Sequence, residues 1–143
     1  PTILDWIGVD IPNSMDGRSL LPILNGATPD DWRSYSFSEL DFGNSGAPTA
    51  RQQALGTTAS TSCFCILRDE RFNLVEFAAD LPPLLFDRQG DGDTVNVADK
   101  PEYAQDMMRL TRQMLRHRMR NADHTLSMYE ITADGPKLSK RRR

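Results

Sequence analysis

Residues 62–77 read Ser-Cys-Phe-Cys-Ile-Leu-Arg-Asp-Glu-Arg-Phe-Asn-Leu-Val-Glu-Phe, and this stretch decides the fold. Two short apolar runs, 62–68 and 72–77, flank the polar residues 69–71. Two such runs around a three-to-four-residue polar turn are typical of an antiparallel β-hairpin. The stretch therefore predicts the centre of a small antiparallel sheet.

Two further runs extend this hairpin. Aromatic and serine residues alternate near 34–40 and predict one strand. Residues 84–87, Leu-Leu-Phe-Asp, predict another, and the Pro-Pro pair before them is tolerated because it stands where a strand begins. By contrast, residues 43–60 hold small and polar side chains with almost no large apolar ones, and predict a long, mobile loop.

One long amphipathic helix is predicted at about 101–121. Apolar residues recur there at spacings of four, three and four and form a stripe along one side: Tyr103, Met107, Leu110 and Met114. Three further apolar residues are expected to widen this stripe: Met108, Leu115 and Met119. The methionines are accordingly interpreted as core residues. Asp99 and Glu102 have the spacing of a capping box, with Pro101 in the first turn, and the cap residue itself is either Asp99 or Lys100.

These elements together predict the fold class. The chain has 143 residues, 38% of them hydrophobic, which is enough for one domain with a real core. We expect an α+β fold in which a small antiparallel sheet carries one long amphipathic helix packed on it. The strands of that sheet are the hairpin 62–77 and the runs near 34–40 and 84–87.

The two ends of the chain carry weaker patterns. Residues 2–8 resemble the last turns of a helix, with Gly8 as its left-handed stop. Residues 126–131 predict a short strand or an extended arm, and Gly135-Pro136 predicts the end of the structured part. The chain starts with Pro1 followed by apolar residues, so we expect a piece of a longer protein.

The charge is unevenly spread along the chain. The net charge is −3, yet residues 137–143 hold five basic side chains and no acidic one; without them 12 basic residues face 20 acidic ones. An acidic body lacks the broad positive surface of a nucleic-acid binder, so no nucleic-acid partner is expected. The tail is interpreted as a solvated end, with a nuclear-type address or an anionic partner as alternatives. No run approaches the ~18 apolar residues of a membrane span, so no membrane partner is expected.

Few side chains are candidates for chemistry. Cys63 and Cys65 are two residues apart, a separation at which a disulfide is strained, so we expect free, buried and inert thiols. Free thiols, with no visible signal peptide, predict a cytoplasmic location. His117 and His124 are too scattered for a structural zinc site, and each is interpreted as a charge complement to a helix end.

An acidic turn, Asp91-x-Asp93, resembles the start of a calcium loop. Positions five and twelve of that loop fall at Val95 and at Glu102 in a helix start, so the ligand pattern fails. No nucleophile elbow, zinc-protease, phosphate-loop or dinucleotide motif occurs. From motifs alone we therefore assign no catalytic, no cofactor-binding and no metal-binding residue.

Six segments occur in an informative order. They are Pro-Thr-Ile-Leu-Asp-Trp-Ile-Gly-Val-Asp-Ile-Pro at 1–12, Asp-Gly-Arg-Ser-Leu-Leu-Pro-Ile-Leu at 16–24, Trp-Arg at 32–33 with Phe-Ser-Glu at 37–39, Arg-Asp-Glu-Arg-Phe-Asn-Leu-Val at 68–75, Pro-Pro-Leu-Leu-Phe-Asp at 82–87, and Asn-Val-Ala-Asp-Lys-Pro-Glu-Tyr at 96–103. In this order they resemble the C-terminal part of the sulfatase branch of the alkaline phosphatase superfamily, over roughly residues 1–130. The tail through Met119, Asp123, Thr125 and Leu126 resembles the phosphonate monoester hydrolase and arylsulfatase subgroup most.

The resemblance implies three parts and no active site. Residues 1–26 correspond to the tail end of the family's larger α/β domain, 27–125 to its C-terminal subdomain, and 126–143 to an extended arm and basic tail. The family uses a divalent metal and a formylglycine made in a Cys-x-Pro-x-Arg type of motif. Cys63 and Cys65 lack the Pro and the Arg of that motif, so the resemblance assigns neither group to this chain.

The leading hypothesis is a C-terminal piece of a sulfatase or phosphonate monoester hydrolase-like ester hydrolase that is catalytically empty by itself. It implies docking to a catalytic domain or self-association, because several apolar residues would otherwise have no packing partner. These residues are Ile3, Leu4, Trp6, Ile7, Leu20, Leu21 and Leu24. The alternatives are a stand-alone structural or oligomerisation domain without enzymatic activity, and an anion-binding module that uses the basic tail.

Overall fold

The structure is a computed structural model that describes residues 1–12, 15, 17–90, 92–122 and 129–138. The chain forms two compact units, Pro1–Ser34 and Tyr35–Arg143. In chain order the elements are α1 (Thr2–Trp6), α2 (Leu21–Leu24), β1 (Ser36–Asp41), α3 (Ala50–Leu55), β2 (Cys63–Arg68), β3 (Phe72–Phe77), β4 (Leu84–Asp87), a 3₁₀ turn (Pro101–Tyr103), α4 (Ala104–Asn121), β5 (Tyr129–Thr132) and β6 (Gly135–Leu138). Among the helices of the described residues, none combines the length and the apolar character that a membrane span requires.

Four antiparallel strands form the main sheet in the order β1-β2-β3-β4. The predicted hairpin and the two flanking strands are confirmed, and so is the α+β fold class. The turn between β2 and β3 forms because Asp69 closes it: its Oδ1 accepts the backbone N–H groups of Arg71 and Phe72 at 2.9 and 2.6 Å. A short aspartate at the first turn position satisfies donors that the turn would leave free.

The core lies between this sheet and α4. Leu67, Leu74 and Leu85 are neighbours across β2, β3 and β4, and each is 0% exposed. Alternate residues of a strand share a face, so one face of the sheet becomes continuously apolar. Leu110 and Met114 on α4 complete this buried cluster.

Two expectations about α4 are wrong. The Asp99–Glu102 capping box does not form: of the two cap positions left open, Lys100 is the N-cap of the 3₁₀ turn that Pro101 opens, and no side chain caps that turn or α4. Met108, Leu115 and Met119 do not widen the core stripe, because they are 57%, 57% and 61% exposed. A single sheet covers only one side of a helix, and these three residues project from the other side.

The stretch expected to be one long loop contains the helix α3. Thr49 and Gln52 form a capping box: Thr49 Oγ1 accepts the Gln52 N–H at 3.2 Å, and Gln52 Oε1 accepts the Thr49 N–H at 2.9 Å. Gly56 ends the helix with φ +64°, a conformation that favours glycine. The Thr-x-x-Gln spacing was present in the sequence, but the missing apolar stripe concealed the helix.

The predicted end of structure at Gly135-Pro136 is also wrong. Strands β5 and β6 pair as a hairpin, with Gly135 at φ +104° in the turn. Pro136 is accepted in β6 because each strand of a two-stranded sheet has one side without a neighbour. Residues 126–128, and the tail from residue 139 onward, lie outside the described residues.

The unit Pro1–Ser34 holds α1 and α2. The Leu20 N–H donates to Thr2 Oγ1 at 3.0 Å, and Arg18 donates to both carboxylate oxygens of Asp31 at 3.0 and 3.1 Å. The Arg18 guanidinium also lies over the Trp32 ring, 4.9 Å from its centroid. None of the residues described in this unit is buried.

Candidate functional site

A polar cluster joins Glu39 on β1, Cys65 on β2 and Arg118 on α4. Arg118 Nη1 lies 2.7 Å from Cys65 Sγ and 2.6 Å from Glu39 Oε1, while the thiol donates to the same Glu39 oxygen at 3.2 Å. Glu39 and Cys65 are direct partners in the β1–β2 register. The cluster therefore ties α4 to the edge of the sheet.

The thiol in this cluster is held in its protonated form. Burial raises the pKa of Cys65 and the hydrogen bond to Glu39 raises it further, whereas Arg118 acts in the opposite direction. Only 7% of Cys65 is exposed. Because the thiolate is the nucleophilic form of cysteine, this geometry is that of a structural contact.

His117 lies beside the cluster and packs on β1. Its ring stacks on Phe37 with the centroids 4.1 Å apart, and its Nδ1 is 3.2 Å from the Tyr35 hydroxyl oxygen. These contacts give His117 a packing role against β1. An open depression of about 380 Å³ is lined by Phe37, Glu39 and His117 among others. Its volume is that of a small-molecule site, but the Glu39 carboxylate is already paired.

The other residues singled out from the sequence do not come together. Cys63 is half-buried and, like Cys65, a free thiol. Asp93 accepts a hydrogen bond from Asn73 Nδ2 at 3.4 Å, while Asp91 and His124 lie outside the described residues. Across the described ranges, no three His, Cys, Asp or Glu side chains are grouped so as to hold a metal ion.

A second network fixes the β2–β3 turn. Arg71 donates to the Asp87 carboxylate, and the Tyr103 hydroxyl donates to Asp87 Oδ2 at 3.3 Å. The hydrogen bond from Arg71 is the main reason why the pKa of Asp87 is lowered. At Asp69, burial favours the neutral acid, yet the turn N–H groups and Arg109 outweigh it and lower the pKa. Both carboxylates therefore hold the structure together in their charged form.

Sequence reasoning missed Glu39, Arg118 and the Arg71–Asp87 pair. Glu39 and Arg118 are 26 and 53 residues from Cys65 along the chain, so no local sequence pattern predicts that they contact Cys65. The aspartate at 87 had a usable signal: it ends an apolar strand, where a buried carboxylate needs a cation.

The surface of Pro1–Ser34 is rich in exposed apolar side chains. Seven residues of this unit were expected to have no packing partner. Two of them, Leu4 and Leu21, are half-buried. The other five are exposed: Ile3, Trp6, Ile7, Leu20 and Leu24. Trp6 is 74% exposed. Large exposed apolar patches mark interaction surfaces.

Comparison with known proteins connects these features to a family. The family model of the C-terminal part of N-sulphoglucosamine sulphohydrolase matches residues 1–120. A multifunctional alkaline phosphatase superfamily protein of Trinickia caryophylli is 37% identical over 136 residues, which are 94% of this chain and 26% of that protein. An N-acetylglucosamine-6-O-sulfatase of Bacteroides thetaiotaomicron is 30% identical over 108 residues, or 73% of this chain and 17% of that protein.

Solved structures show the same relationship. A phosphonate monoester hydrolase from Silicibacter pomeroyi is 59% identical with a TM-score of 0.80, and the match covers 100% of this chain and 28% of that chain. The phosphonate monoester hydrolase of Agrobacterium radiobacter is 34% identical with a TM-score of 0.75, and the match covers 99% of this chain and 28% of that chain. The chain thus spans about a quarter of the length of these relatives. It belongs to the C-terminal family of sulfatases and phosphonate monoester hydrolases in the alkaline phosphatase superfamily.

Proposed function

We propose that the chain acts as the non-catalytic C-terminal subdomain of an enzyme that hydrolyses sulfate esters or phosphonate monoesters. The observation that carries this proposal is the match to about a quarter of each relative's length, within a C-terminal family. The relatives named as hydrolases supply the reaction class. The sequence itself lacks a Cys-x-Pro-x-Arg motif, which supports the proposal that this segment is catalytically empty.

The proposal extends to the cofactors. The resemblance implies a divalent metal and a formylglycine, but the residues described here do not fit either group. The Cys65 thiol is buried between Glu39 and Arg118, and the described carboxylates form no three-ligand set. We therefore propose that both groups belong to the catalytic domain and not to this segment.

Docking to that catalytic domain is the proposed role of Pro1–Ser34. A unit with no buried residue among those described, and with exposed Ile3, Trp6 and Leu24, gains most from an external apolar partner. Covering about 600 Å² of mostly apolar surface is worth roughly 10 kcal/mol before the costs of association. Self-association through the same surface, as a structural or oligomerisation domain, is the second candidate, and the exposed residues favour it equally.

The free thiols support a cytoplasmic location.

Turnover assays test the catalytic part of the proposal. The purified chain is incubated with an aryl sulfate and with an aryl phosphonate monoester, with and without Mn²⁺ or Zn²⁺. We expect no turnover above buffer, while the Silicibacter pomeroyi relative serves as the positive control. Metal-dependent turnover by the pure chain, lost on chelation, would contradict the proposal.

The docking part is tested by mass and by complementation. The Silicibacter pomeroyi relative is expressed without the segment that matches this chain, and the chain is added back. We expect a one-to-one complex in light scattering, weakened by Trp6→Ser and unaffected by Arg51→Ser on α3. A self-associated chain that ignores the truncated relative would support the structural alternative instead.

A further inference from the structure

The side of α4 that faces away from the sheet carries an ordered row of side chains. Met108, Arg112, Leu115 and Met119 recur at spacings of four, three and four, and we call them the α4 outer row. This spacing is that of the contact positions of one helix packed along another. All four side chains are exposed, so the row has no partner within the described chain.

The row has a basic flank that lacks counter-ions. Arg112 lies in the row and Arg116 beside it, and both are exposed. No ion pair of either arginine occurs among the described residues, whereas Arg109 pairs with Asp69 and Arg118 pairs with Glu39. Uncompensated guanidinium groups beside exposed apolar side chains are complementary to carboxylates.

A depression next to the row offers an anchor point. It measures about 430 Å³ and is lined by Ala98, Met107, Met108, Thr111 and Arg112. Methionine side chains adapt to the shape of an inserted apolar group. The depression has room for a large side chain of a partner, and anchors of this kind carry much of the binding energy at interfaces.

A second copy of this chain does not suit the row. In a parallel two-fold pair of helices, Arg112 would stand against its own copy. In an antiparallel two-fold pair, the same flanks face each other, so the arginines of both copies would converge. Like charges placed face to face are costly, and both symmetric arrangements place them so.

We propose that the α4 outer row is a docking site for an acidic amphipathic helix of another polypeptide. Its apolar side chains would lie along Met108, Leu115 and Met119, and its carboxylates opposite Arg112 and Arg116. An anionic membrane suits the row less well. On the side of the row away from Arg116, Thr111 donates a hydrogen bond to the Glu76 carboxylate at 3.4 Å. This carboxylate would repel the headgroups of an anionic membrane. This inference does not depend on the proposed hydrolase role.

Synthetic peptides test the proposal on the full chain. One fluorescent 18-residue helical peptide carries leucine at its contact positions and glutamate on the flank that would face Arg112 and Arg116; matched peptides carry glutamine or lysine instead. We expect the glutamate peptide to bind at least about tenfold more tightly than the glutamine peptide, and added salt to weaken it. The doubly reversed variant R112E/R116E is expected to prefer the lysine peptide.

Two further variants separate the surface from the net charge. L115Q/M119Q is expected to lose binding of the glutamate peptide, whereas R33E/R51E, with the same charge change elsewhere, keeps it. Circular dichroism confirms that each variant is folded. Equal binding of the glutamate and glutamine peptides, or an unchanged preference in R112E/R116E, would overturn the proposal. So would binding only to phosphatidylserine vesicles, or a dimer that L115Q/M119Q dissociates.

Discussion

Arg71 donates to both carboxylate oxygens of Asp87, Nη2 to Oδ2 at 2.6 Å and Nε to Oδ1 and Oδ2 at 3.1 and 3.2 Å, and so fastens the β2–β3 turn to the end of β4. The Asp87 side chain is 8% exposed and that of Arg71 46%. Tyr103, in the 3₁₀ turn before α4, reaches the same carboxylate. One carboxylate therefore connects three elements that are far apart in the chain.

Replacing Asp87 by asparagine keeps the shape of the side chain and removes its charge. We expect Asp87→Asn to lower the free energy of unfolding by about 2 kcal/mol, the scale of charged hydrogen bonds in a partly buried site. Urea titration measures the loss. Asp31→Asn is the matched control, because Asp31 also pairs with an arginine but its side chain is 79% exposed. Its expected loss is much smaller because an exposed ion pair is screened by solvent, and equal losses in the two variants would contradict this view.

The same carboxylates predict a pH dependence of stability. The pKa of Asp87 is lowered chiefly by the hydrogen bond from Arg71, and that of Asp69 is lowered although burial opposes the shift. A carboxylate whose pKa is lower in the folded chain binds protons less well there than in the unfolded chain. Its contribution is complete above about pH 5 and is lost as the pH falls through the unfolded and then the folded pKa.

Thermal melts at decreasing pH measure this effect. We expect the melting temperature of the natural chain to fall below about pH 5, and that of Asp87→Asn to fall less over the same range. Asp31→Asn serves again as the control for general charge effects. Parallel curves for all three proteins would show that Asp87 does not contribute to the acid sensitivity.

The two thiols are expected to differ in reactivity. In Cys63→Ser only the buried Cys65 remains, and burial raises its pKa. In Cys65→Ser only the half-buried Cys63 remains. With a chromogenic disulfide reagent, we expect Cys65 to react at least about tenfold more slowly than Cys63. As a control, both variants should react at the same rate in concentrated guanidinium chloride, where the chain is unfolded. Equal rates in the folded state would contradict the claim that the fold shields Cys65 from the reagent.

The core prediction concerns Leu85 on β4. Leu85 is 0% exposed between its neighbours in the sheet and α4, so Leu85→Ala leaves a cavity and is expected to cost about 3 kcal/mol of stability. Leu24→Ala, at a site that is 71% exposed, is the control and should change stability by less than about 0.5 kcal/mol. Denaturant unfolding of both variants decides the matter. A large loss for Leu24→Ala would mean that Pro1–Ser34 contributes a core of its own.

Local patterns predicted the elements whose residues alternate or recur around an apolar stripe. Strands β2, β3 and β4 and the extent of α4 were accessible in this way, because the period of apolar residues depends on neighbours in the chain. Helix α3 was missed because its signal is a cap and not a stripe. Met108, Leu115 and Met119 were assigned to the wrong side, since the sequence does not state how many surfaces cover a helix.

The sequence by itself determined the central β2–β3 hairpin, the long helix and the family to which the chain belongs, since each depends on residues that are near one another or on a fixed order of short segments. Tertiary structure alone decided that Arg118 meets Cys65, that Asp87 receives Arg71, and that α4 keeps one uncovered face. Those relationships join side chains from distant segments, and burial and ion pairing depend on which surfaces the fold brings into contact, a property that no local spacing encodes.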